Sequence, residues 1–246
     1  MSLDRPSESE PAGLPVGEPV DATPAKRPGG MPLVGRSVAV VPFDMDAHAA
    51  DLYAATHGPE RERLWFYLSV GPFAARADFD AYLERFLAGS DPVLYAIVDR
   101  ASGRAVGHAT YLRIEPAHRS VEVGHILFSP ALARTAAATE AMALMMRHAF
   151  DDLGYRRFEW KCNALNAPSR RAAERLGFTF EGVFRRHLIH KGRSRDTAWY
   201  AVTDEEWPSR RAAFEAWLAP DNFRADGTQR RSLAELRRSF ADQAAP

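Results

Sequence analysis

A single cysteine, Cys162, stands among the 246 residues. A lone thiol excludes an intrachain disulfide framework and suits a reducing compartment. No apolar run approaches membrane-spanning length, and the opening Met1-Ser-Leu-Asp-Arg-Pro6 lacks the hydrophobic centre of a signal peptide. The expected location is the cytoplasm, with no membrane partner. Neither sign of charge dominates: Lys plus Arg and Asp plus Glu number 32 each. No global field therefore draws the chain toward nucleic acid or anionic lipid. Internal repeats are also missing. The length allows one good-sized core, or one domain with tails.

Residues 1–34 are rich in Pro, Gly, Ser, Ala and acidic side chains without apolar periodicity, and are expected to form a disordered leader. From residue 35 the pattern becomes structured. A short strand stopped by Pro42 precedes a helix over Ala47–Thr56, capped by Asp44 or Asp46. The aromatic cluster Leu64-Trp-Phe-Tyr-Leu68 falls in a connection, before a second helix over Asp78–Ala88. The period then changes to two. Val93–Val98, Ala105–Ile114 and Ser120–Phe128 read as successive strands. Thr135–Leu153 is predicted helical and Arg157–Asn163 a strand. Pro168–Leu176 reads as a helix closed by Gly177, before a final hairpin over Val183–His190 and Arg195–Val202. This order predicts a mixed α/β domain over residues 35–207. Residues 208–246 read as a helical, arginine-rich tail with Leu233, Leu236 and Phe240 in register, a face suited to a homodimer contact. A docked or partly frayed tail with a solvated basic face is favoured there over a nucleic-acid surface.

Two punctuation marks carry the chemistry. Glu122-Val-Gly-His-Ile-Leu-Phe-Ser-Pro130, followed by Arg134-Thr-Ala-Ala-Ala-Thr-Glu-Ala141, reads as a strand that runs out of pairing and enters a helix N-terminus. Unpaired N–H groups and the positive end of a helix dipole make such a junction a ready anion site. Asn166-Ala-Pro-Ser169 and Leu176-Gly-Phe178-Thr-Phe-Glu-Gly182 follow one βα unit later. On spacing alone, Asn166, Pro168 and Ser169 are a helix cap.

With these elements placed, the chain resembles the GNAT-superfamily N-acetyltransferases, and within them the ribosomal-protein N-terminal acetyltransferases. The residues that carry the resemblance are Glu122-Val-Gly124, Thr139-Glu140-Ala141, Asn166-Ala-Pro-Ser169, Leu176-Gly-Phe178 and Glu181-Gly182, over roughly residues 36–207. The resemblance implies a single, mostly antiparallel sheet flanked by helices, with a cleft where the family's fourth and fifth strands splay. It implies acetyl-CoA as acyl donor, no metal, and a primary amine as acceptor, on a protein N-terminus or a small molecule. The pantetheine arm would lie along the backbone of His125, Ile126, Leu127 and Phe128. The pyrophosphate would sit on Arg134, Thr135, Ala136, Ala137, Ala138 and Thr139, where relatives usually carry glycines. Asn166 would hold the pantetheine arm, and Ser169 would lie near the leaving sulfur. Many relatives place an acidic tyrosine where this chain has Ala173, so Ser169 inherits that role. Some relatives place a glutamate base where this chain has Lys161.

The base is therefore sought on the strand over Ser120–Phe128. Alternation puts Glu122 with Gly124, Ile126 and Phe128, and His125 with Val121, Val123 and Leu127, on opposite faces. At most one then faces substrate, and the reading takes Glu122; a site without a dedicated base stays open. Cys162 reads as a buried structural thiol. Trp65, Phe66 and Tyr67 wall the acceptor site or pack in the core. Arg170, Arg171 and Arg175 reach the CoA 3′-phosphate or form a solvated face. The alternative to catalysis is an acyl-CoA-binding regulator, which the alanine turn and the missing tyrosine and glutamate favour.

Overall fold

The computed structural model describes residues 16–244. Eight strands form one sheet: β1 (Leu33–Val34), β2 (Val38–Pro42), β3 (Val93–Asp99), β4 (Ala105–Glu115), β5 (Ser120–Phe128), β6 (Arg157–Asn163), β7 (Thr179–His190) and β8 (Arg193–Thr203). Their order is β1-β2-β3-β4-β5-β6-β8-β7. Every neighbouring pair is antiparallel except β5 and β6. Six α-helices join them among the described residues: α1 (Met45–Thr56), α2 (Arg76–Leu87), α3 (Ala136–Arg147), α4 (Ala167–Leu176), α5 (Trp207–Leu218) and α6 (Leu233–Ala244).

Strand alternation builds two cores, one on each side of the sheet. Tyr95 and Ile97 of β3 face a large core shared with α3 to α6, while Leu94 and Ala96 face a second core shared with α1 and α2. The local signals behave as written. Asp44 caps α1 by accepting from the Ala47 N–H at 2.8 Å, and Gly177 ends α4 at φ 99°, a conformation that a side chain disfavours. Trp65 is fully buried in the second core, so that part of the aromatic cluster packs, whereas Phe66 and Tyr67 do not.

Glu140 explains part of the Thr139-Glu140-Ala141 motif as structure. Its buried carboxylate accepts the backbone N–H groups of Arg36, Ser37 and Val38 at 2.6, 2.7 and 3.2 Å. The first turn into the sheet is thereby pinned to α3. Charge-assisted bonds of this kind are the strong ones, and losing the acceptor strands three donors. Glu140→Ala is expected to lower unfolding stability by about 3 kcal/mol or more, read from urea denaturation. A loss below about 1 kcal/mol would refute the pin.

Three expectations meet the structure here. The first concerns the leader: residues 1–15 lie outside the described residues and 16–24 are exposed, but the chain is docked from Ala25 onward. Ala25 is buried, its N–H donates to Pro116 O, and the Lys26 N–H donates to Leu153 O. Next, residues 208–244 are docked, as the favoured reading of the tail has it: Phe214, Trp217, Leu233 and Leu236 join the large core. That packing also occupies the leucine face expected to support a homodimer. Lastly, the tail's arginines are partly neutralised: Arg210 pairs with Glu206, and Arg211 with Asp151 and Glu215.

Candidate active site

The site begins where β5 leaves β6. The two strands pair at four positions only, from Ser120↔Arg157 to Val123↔Trp160. Beyond that register β6 pairs only with β8, and Gly124–Phe128 diverge from it. A cavity of about 960 Å³ opens at this gap. Glu122, His125, Ile126, Asn166 and Ser169 all line it. A neighbouring cavity of about 680 Å³ lies at the start of α3, lined by Arg134, Thr135, Ala136, Ala138 and Thr139, and both cavities touch Pro168.

The strand alternation used to separate Glu122 from His125 fails. His125 has φ +46°, and the β4–β5 register slips between His108↔Leu127 and Thr110↔Gly124. One extra residue in β5 is a β-bulge, which reverses the faces of everything after it. Val121 and Val123 belong to the large core, while Leu127 belongs to the core of α1 and α2. Glu122 and His125 consequently line one cavity together. Leu127 is buried and does not line it, and Phe128 packs against the large core. Ala137 likewise packs on the core and lines neither cavity.

Glu122 is 4% exposed and held by two cations. Its Oε2 lies 2.5 Å from Arg113 Nη1 and 3.0 Å from Lys161 Nζ. Arg113 is itself at φ +47° beside a second register shift, which aims its side chain at the carboxylate. Lys161 also meets Glu159 at 2.7 Å and stands 3.8 Å over the Trp199 ring. Burial raises the Glu122 carboxyl, and both cations oppose the rise.

His125 stacks edge-on against Phe86, and its Nδ1 lies 3.1 Å from Thr110 Oγ1. The Thr110 hydroxyl donates its one proton to Gly124 O at 3.0 Å, so Nδ1 is the protonated ring nitrogen and Nε2 keeps a lone pair. Burial, with help from Arg113, lowers His125 to about 4, and burial lowers the adjacent His108 to about 3. Both rings stay neutral in the folded chain at pH values where an ordinary histidine, near 6.5, is charged. Unfolding therefore takes up protons in that window, so stability falls as pH drops from about 6.5 toward 4. The loss is expected on the order of 3 kcal/mol for each ring across that range. His108→Leu should flatten the slope in urea midpoints measured from pH 7 to 4; an unchanged slope contradicts the assignment.

On the opposite side of the gap, Ser169 Oγ accepts the Trp160 indole N–H at 3.0 Å, leaving its own proton available. Asn166 caps α4, accepting the Ser169 N–H at 3.1 Å, and its amide NH₂ remains for a ligand. Capping thus leaves both polar groups free on the side of the gap. Ala173, at the position of the missing tyrosine, is fully buried. Cys162 is a free, buried thiol lining the gap, and burial raises it.

At the anion turn, Arg134 adopts φ +64° and Thr135 caps α3, its Oγ1 accepting from the Ala138 N–H at 3.2 Å. The cap occupies one N–H of the expected cradle and leaves those of Ala136 and Ala137 without helical partners. Of the three candidate arginines, Arg170 is tied to Tyr200, while Arg171 and Arg175 both line the smaller cavity, Arg175 donating to Thr139 there. Three cations, two free N–H groups and a helix N-terminus suit phosphates, and the gap beyond suits a narrow polar arm. Sequence reasoning missed Trp160, Arg113 and Arg195; no motif marks them, since strand register alone brings them here.

A family model described as an acetyltransferase (GNAT) domain matches residues 38–179. A crystal structure of a GCN5-related N-acetyltransferase from Brucella melitensis is 44% identical, covering 89% of this chain and 99% of that one, at a TM-score of 0.86. The N-acetyltransferase YnaD of Bacillus subtilis strain 168, described as uncharacterized, is 24% identical over 141 residues, 57% of this chain and 81% of its own length. RimJ of Mycobacterium smegmatis, solved in complex with CoA-disulfide, shares the fold at a TM-score of 0.58 and 24% identity, over 70% of this chain and 84% of that one.

Proposed function

The chain belongs to the acetyltransferase (GNAT) family, and from that membership we propose that it moves an acetyl group from acetyl-CoA to the primary amine of a small molecule. The observation that carries this reading is the β5–β6 gap, which is open to both faces of the sheet. Trp160, Cys162 and Ser169 meet it from the side of α3 and α4, and Glu122, His125 and Lys161 from the side of α1 and α2. Donor and acceptor would then approach from opposite sides, which aligns them without a covalent enzyme intermediate.

Acetyl-CoA, when bound, supplies the activated acetyl group; Arg134, Arg171 and the α3 N-terminus would hold its phosphates, and Asn166 its pantetheine arm. The protein's own groups manage protons. Arg63, Arg113, Lys161 and Arg195 line the larger cavity against Glu62 and Glu122, and this positive surplus favours a neutral amine over an ammonium. We assign first receipt of the amine proton to His125 Nε2 rather than to Glu122, whose oxygen two cations already hold. An imidazole held near 4 passes that proton on to water. Ser169, polarised by Trp160, offers its proton to the departing sulfur. One N–C bond forms, one C–S bond breaks, and the proton lost by nitrogen balances the one gained by the thiolate.

A small acceptor is favoured over a protein N-terminus because the cavity is roofed. Lys191 Nζ donates to Trp65 O at 3.0 Å, His190 Nε2 lies 3.0 Å from Leu68 O, and Tyr67 OH donates to Leu165 O at 3.0 Å. These bonds tie the β7–β8 tip and the start of α4 to the connection before α2. Mass spectrometry of mixtures with acetyl-CoA, small amines and intact ribosomal proteins tests the choice. Acetylated small amines are expected. Acetylation confined to protein N-termini would overturn the assignment and restore the ribosomal-protein subgroup.

A further inference from the structure

Two cations lining the larger cavity, Arg63 and Arg195, make no ion pair among the described residues, and of the two only Arg195 has a buried nitrogen without a partner. The charges around Glu122 form a closed set: Arg113, Lys161 and Arg157 balance Glu122, Glu159 and Glu181 through bonds of 2.5 to 3.0 Å. Arg195 lines the same cavity and stands outside the set. Among the described residues it makes no ion pair and no side-chain hydrogen bond, and its Nε is buried without a partner. Strand register places it on the acceptor side. Thr197 pairs with Asn163 and Trp199 with Lys161, whose ammonium lies over the Trp199 ring, and Arg195 is the next β8 residue on that face. Burying an uncompensated guanidinium is unfavourable and persists where something else fills the deficit.

We propose that Arg195 receives the carboxylate of the acceptor, so that the substrate is a small amine that also carries a carboxylate. This rests on the acetyl-transfer reading above and narrows it. A guanidinium presents a planar fork that matches a carboxylate in two parallel bonds. The same surplus of positive charge that admits the carboxylate disfavours the ammonium form of the amine, so one electrostatic arrangement selects both ends of the acceptor. Glu122 remains bound to Arg113 and Lys161, and Arg63 is exposed, which leaves Arg195 as the partly buried free fork.

The test compares the twenty L-amino acids with their amides, using thiol release from acetyl-CoA and calorimetric titration into protein saturated with CoA. The amide's amine is the less basic, so amine reactivity alone favours the amide. The proposal predicts that at least one free acid is bound or acetylated roughly ten- to a hundredfold better than its amide. Arg195→Gln should collapse that ratio toward one with acetyl-CoA affinity unchanged, and Arg195→Lys should restore part of it. Thermal melts of both variants establish that they fold. Amides that match or exceed the acids overturn the proposal, and so does protein that binds acetyl-CoA but neither acids nor amides. Failure to bind acetyl-CoA at all strikes the transfer reading instead, so the two failures are distinguishable.

Discussion

Ala136→Glu is expected to weaken acetyl-CoA binding by about a hundredfold or more, with the fold intact. Ala136 is the first residue of α3, and its side chain lines the cavity that also holds Arg134 and Arg171. A carboxylate there occupies the place assigned to the pyrophosphate and carries the same sign. The helix itself does not object, because an acidic residue in the first turn is favourable to the dipole. Loss of binding without loss of melting temperature therefore reports on the site and not on folding. Calorimetry of both proteins under one buffer decides it. A variant that binds within about threefold of wild type removes the phosphates from this turn.

Ser169→Ala should lower kcat by about a hundredfold and leave acetyl-CoA affinity nearly unchanged. Its backbone N–H, not its hydroxyl, is what Asn166 caps, so the substitution spares the helix start. What disappears is the one hydroxyl in the gap that is oriented by an indole N–H. Trp160→Phe should give a smaller fall in kcat, about tenfold, because the hydroxyl stays but loses its orientation. Equal kcat in wild type and Ser169→Ala would transfer the donor role to solvent.

Much of the fold could be read from residue order, because helices and strands here follow their own periodicity. Gly177, Asp44 and the Asn166 cap each act as their chemistry dictates. The expectation of opposed faces for Glu122 and His125 failed at one residue. A bulge adds one position to a strand and reverses every later face, and nothing in Val123-Gly-His-Ile126 announces it beyond a glycine. The arginines illustrate the other limit. Arg113 and Lys161 meet Glu122, and Arg195 reaches the same cavity, only through strand register. Thr139-Glu140-Ala141 supported the resemblance, yet Glu140 acts by pinning the turn before β2. Burial of Leu233 and Leu236 against the same core, instead of a second copy, depends on where a long connection returns and leaves no local trace.

The central claim is that acetyl-CoA lies in the β5–β6 gap with its phosphates at the start of α3. Hydrogen–deuterium exchange with and without acetyl-CoA tests it most directly. The account predicts added protection at backbone amides 124–128 and 135–139. A competing basic groove of about 370 Å³, lined by Arg36, Arg147 and Arg211, sits elsewhere on the molecule. Protection confined to that groove, with the gap and the turn unchanged, would contradict the account.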